Sequence, residues 1–121
     1  MTQLAKTVTS GLSAVAAIAI NGDTATGLTA AGSTQATALN LPATNNFIST
    51  AAASTGVVLS PGNAGDMIFV YNGGANSVTV YPPLGGTINN LSANTGLALA
   101  TLKSGVYVYS GAITIASLLS A

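Results

Sequence analysis

Apart from its serine and threonine hydroxyls, the chain offers eight side chains to acid–base or nucleophilic chemistry: Tyr71, Tyr81, Tyr107, Tyr109, Asp23, Asp66, Lys6 and Lys103. His, Cys, Glu and Arg are absent, which removes the usual general bases, thiolate nucleophiles and oxyanion clamps. Asp23 and Asp66 would be the one carboxylate pair. Each adjoins a glycine in a turn setting, where Asp is favoured for hydrogen bonding to nearby backbone, and we read both as structural. Neither lysine stands in a Ser-x-x-Lys context that would activate a serine. Gly73-Gly74 and Gly85-Gly86 lack the helix start and the in-register Lys of a phosphate loop. Two Asp among scattered Asn match no calcium-loop spacing. The sequence therefore predicts no catalytic, cofactor-binding or metal-ligating residue, and a protein that is not an enzyme.

The tyrosines admit two readings. A cluster of them on strands could stack on sugars or bases, as in a carbohydrate-binding module. An apolar ring with a polar tip equally suits a contact between proteins, and we favour that use. The predicted contact residues are Met67, Phe69, Tyr71, Tyr81, Tyr107 and Tyr109.

Composition supports association over chemistry. Charged residues make up 3% of the 121 and the formal net charge is zero, where an ordinary domain carries about 25% charged residues. Charge is what keeps copies of a soluble monomer apart, so an uncharged surface of Ser, Thr, Asn, Gly and Ala favours packing against other chains. Nucleic acid is not an expected partner, because phosphate binding needs clusters of Lys and Arg. With no cysteine, rigidity must come from packing. Lys6 followed by the apolar residues 11–20 resembles a weak signal peptide, a pattern we set aside with Met1 still in place. No membrane span is expected, since that run breaks at Asn21-Gly22-Asp23, short of the roughly 20 residues a helix needs.

The elements that would position the aromatic residues centre on residues 65–83. Two runs rich in β-branched and aromatic residues, 66–72 and 77–81, flank Gly73-Gly74-Ala75-Asn76, residue types that tolerate the positive φ of a tight reversal, and this predicts a β-hairpin. Met67, Phe69 and Tyr71 would share one face and Ile68 and Val70 the other, with Val78 and Val80 opposing Thr79 and Tyr81. A second aromatic hairpin is predicted over 96–109, with Val106 and Val108 on one side and Tyr107 and Tyr109 on the other. Further strands are predicted at 35–41, 46–50, 57–60, 87–91 and 112–115, followed by an apolar tail over 116–121. Residues 1–10 read as an arm ordered by a neighbour, and 11–20 as a strand. Turn signals about every 8 to 12 residues fit an all-β antiparallel sandwich or barrel, with residues 1–20 as an N-terminal arm and first apolar segment and 21–121 as one domain.

The run from Leu28 to Tyr109 resembles small virion proteins of tailed bacteriophages and prophages. The resemblance rests on an uncharged Thr/Ala segment and a hairpin carried by Asn72, Gly74, Ala75, Asn76, Val78, Val80, Tyr81 and Pro82. A following step is carried by Gly86, Ile88, Asn89 and Leu91. Many relatives end with a Trp, which this chain lacks. The resemblance implies an all-β homotrimer on the outer surface of the virion: a capsid decoration, or cement, protein bound to the major capsid protein, or alternatively a tail-fibre, spike or head-fibre module. Neither nucleic acid nor membrane is an expected partner.

Overall fold

The structure, a computed structural model, describes residues 22–120. The arm and the strand expected within residues 1–20 lie outside the described residues. Among the described residues, ten strands run in order: β1 Thr24–Thr29, β2 Leu39–Asn40, β3 Asn45–Thr50, β4 Thr55–Val58, β5 Met67–Asn72, β6 Val78–Tyr81, β7 Thr87–Ile88, β8 Leu97–Leu99, β9 Lys103–Tyr109 and β10 Thr114–Leu119. They form two sheets, one in the order β1-β3-β5-β9-β10-β7 and one in the order β2-β4-β6-β8.

The all-β class holds, but the antiparallel sandwich or barrel does not. β1, β3 and β5 pair in parallel, and so do β2, β4 and β6. The chain thus alternates between the two sheets and stacks each circuit on the last, as in a β-solenoid. Partners in the larger sheet lie about 21–24 residues apart, Thr24 beside Asn45 and Asn45 beside Phe69, which is a repeat period. The stack then ends in antiparallel pairings, β8 against β6, and β9 against β5 and β10.

Neither expected hairpin forms. β5 and β6 belong to different sheets, as do β8 and β9. Residues 73–76, none of which adopts a positive φ, make a corner from one sheet to the other. The Asn72 side chain fixes that corner. It accepts from the Gly74 N–H at 2.9 Å and donates to the carbonyls of Asn76 at 2.9 Å and Leu99 at 3.0 Å. Gly74 also lies directly beneath Ala51 in the corner of the preceding circuit, where an added Cβ would stand 2.6 Å from the Ala51 methyl. Asn76 donates to the Ala51 carbonyl at 2.9 Å and ties the two corners together.

The core lies between the sheets. Ile48, Val70, Tyr107 and Ile115 from the larger sheet meet Val57, Val78, Val80 and Leu99 from the smaller, all of them buried. Period-two alternation then sends the intervening residues outward. Residues 116–119, expected as a tail, are part of β10 and pair with β9.

Candidate functional site

Alternation along β9 places Gly105, Tyr107 and Tyr109 inward and Val106 and Val108 outward. The two tyrosines therefore do not belong to a contact surface. Tyr107 is 0% and Tyr109 3% exposed, because their rings fill the space between the sheets and the smaller valines face solvent. Burial pushes the Tyr107 hydroxyl up from its ordinary value. Burial, with the Asp66 carboxylate adding to it, pushes Tyr109 up to about 12. Tyr109 donates to the Ser60 carbonyl at 2.6 Å, while the buried Tyr107 hydroxyl has no partner.

Tyr81 is half-buried on the outer side of the smaller sheet. Its ring lies between Gly56 and Gly96, so close that a Cβ at either would approach it to 3.0 Å or less. Its hydroxyl donates to the Ser33 carbonyl at 3.2 Å. Aromatic cover over Gly56 of β4 and over Gly96 just before β8, with a tether to a loop, accounts for this side chain within its own chain.

The aspartates are engaged with backbone. Asp66 Oδ2 accepts from the Asn63 N–H at 2.8 Å within its own turn. Asp23 Oδ1 accepts from the Thr44 N–H at 2.8 Å, twenty-one residues along the chain, and ties the start of β1 to the start of β3. That bond and contact with the Thr44 side chain hold the Asp23 carboxyl below its ordinary value. A groove of about 340 Å³ between Gln35, Asn40, Pro61 and Leu84 has no titratable side chain in its lining. A smaller cavity of about 90 Å³ includes Asp66 and Tyr109, the groups whose hydrogen bonds are given above.

What the fold does assemble is an apolar outer face on the larger sheet. Cross-strand register sets it out in rows: Phe69 beside Val106 and Val106 beside Leu118, Met67 beside Val108 and Val108 beside Ala116, and Phe47 beside Tyr71. Phe47 packs its ring on Phe69 with centroids 5.5 Å apart and on Tyr71 at 6.2 Å. Met67 is 56% exposed and Leu118 73%. No Asp or Lys stands in these rows. Of the six residues expected at a contact surface, the structure brings Met67, Phe69 and Tyr71 together here. It adds Phe47, Val106, Val108 and Leu118, which sequence reasoning missed. The Val106/Val108 alternation was visible in the sequence, but the parallel register that seats Phe47 beside Tyr71 was not.

Compared with known protein families, characterised proteins and solved structures, the chain gives no match in any of the three.

Proposed function

We propose that this protein is a structural subunit of a bacteriophage virion, a decoration protein that binds as a homotrimer to the major capsid protein on the outer surface of the shell and stabilises it. The observation that carries the reading is the uncharged apolar face of the larger sheet, on a chain whose aspartates and Tyr109 hydroxyl are bonded within its own fold and whose Tyr107 is buried. A contact of this kind needs shape and number. Many copies acting together resist internal pressure by multivalency, without high affinity at any one site. A carbohydrate-binding platform is less well supported, because two of the four tyrosines are buried and Tyr81 lies on the other sheet.

The solenoid-like stacking of β1, β3 and β5 favours a second reading, a module of a tail fibre or head fibre, since stacked circuits extend along one direction. Copy number on purified virions separates the two. Hundreds of copies per particle, on the scale of the major capsid protein, are expected for a shell component. A handful would replace the first reading with the second.

A further inference from the structure

We propose that copies of this chain meet one another through the outer face of the larger sheet, with the β3–β5 half of one copy, Phe47, Met67 and Phe69, packed on the β9–β10 half of the next, Val106, Val108 and Leu118. This deepens the reading above and rests on it for the existence of an assembly.

Three observations select a second copy as the occupant. The first concerns edges, through which sheets otherwise associate. The outer strand β1 is interrupted by register shifts around Gly27 and Leu28, and β2, β7 and β8 have only two or three residues each. Bulged or short edges offer little backbone to pair, so among the described residues the apolar face is the larger surface open to a partner. The second is charge. A partner with an ordinary charged surface would lose hydration against a face with no counter-charge to offer, a cost that an identical uncharged face does not incur.

The third is area and composition. At the usual size of such side chains, the exposed parts of this patch amount to on the order of 500 Å², near the upper end of the largest apolar patch on a monomer. The face is also divided: aromatic residues stand on β3 and β5, aliphatic ones on β9 and β10. Unlike halves on one face match each other when two copies meet through it.

The test uses the full chain and light scattering, with circular dichroism to follow the fold. Met67→Lys and Leu118→Glu each place a charge where the single chain already exposes the side chain, so folding is expected to survive. Each variant alone should weaken self-association by at least about tenfold, and mixing the two should restore it, as the new Lys of one copy meets the new Glu of the next. Because the chain has no cysteine, mixing a Met67→Cys chain with a Leu118→Cys chain and adding a mild thiol oxidant such as diamide, which is reduced as the two thiols lose their hydrogens, should also give a disulfide-linked pair. A wild-type oligomer that both charged variants leave intact would overturn this face while leaving the decoration reading in place. A wild-type monomer whose binding to capsids is lost in both variants would overturn self-association and give the face to the shell protein. A monomer that binds no capsid would overturn both.

Discussion

Two tyrosines two residues apart on the same face of β9 have opposite hydrogen-bonding circumstances. Tyr109 reaches the Ser60 carbonyl, whereas the Tyr107 hydroxyl is buried without a partner. An unpaired buried hydroxyl is costly, and removing it costs nothing in hydrogen bonding. Tyr107→Phe is therefore expected to leave stability unchanged or raise it, and Tyr109→Phe to lower it by about 1–2 kcal/mol. Chemical denaturation of the two variants beside the parent checks the contrast. The same groups set the pH profile. Both tyrosines titrate higher folded than unfolded, so the stability they contribute is fully present below pH 10 and is lost as pH rises towards 12 and beyond. Asp23 has the opposite sign. Its folded value lies below the ordinary 3.8, so its contribution is present above about pH 4 and is lost as pH falls through the lower value. With no His or Glu in the chain, thermal midpoints measured from about pH 5 to 9 should form a plateau bounded by these two limbs.

The decisive element is the corner over residues 73–77, because it converts what reads as a hairpin into a step between sheets. Gly74→Ala should cost about 2–3 kcal/mol by forcing apart two stacked corners, since the added carbon would stand 2.6 Å from the Ala51 methyl. Asn72→Ala should cost about 2–4 kcal/mol by removing three hydrogen bonds, two of them buried and one partly so. Urea titration of both variants tests the corner, and near-neutral values would contradict it. The positions of β3 to β6 and their side-chain alternation were legible in the sequence, as the burial of Val70, Val78 and Val80 shows, whereas only Leu39–Asn40 of the strand expected over 35–41 and Thr87–Ile88 of that over 87–91 form. Pairing was not legible, because Gly-Gly-Ala-Asn serves a reversal and a corner equally well and period two is the same in parallel and antiparallel sheets. The repeat was hidden for a related reason. Registered residues such as Asn45 and Phe69, or Ile48 and Asn72, differ in chemistry and share only a direction. At the candidate site, the Met67, Phe69 and Tyr71 face could be read from one strand, whereas Phe47 and Leu118 join it only through register.

For the whole molecule, the scarcity of charge joins fold and proposed role. The core is secured by apolar burial and by asparagines that bond to backbone, with Asn46 and Asn72 both fully buried. The face left open is as uncharged as the core. Contacts built from such a surface should respond little to ionic strength, because screening acts on charges. Co-sedimentation of the purified protein with undecorated capsids, at about 0.05 M and about 1 M salt, tests this most directly. The account predicts saturable binding at many sites per shell, equal at both salt concentrations. No binding at either, or binding that collapses at the higher salt, would contradict it.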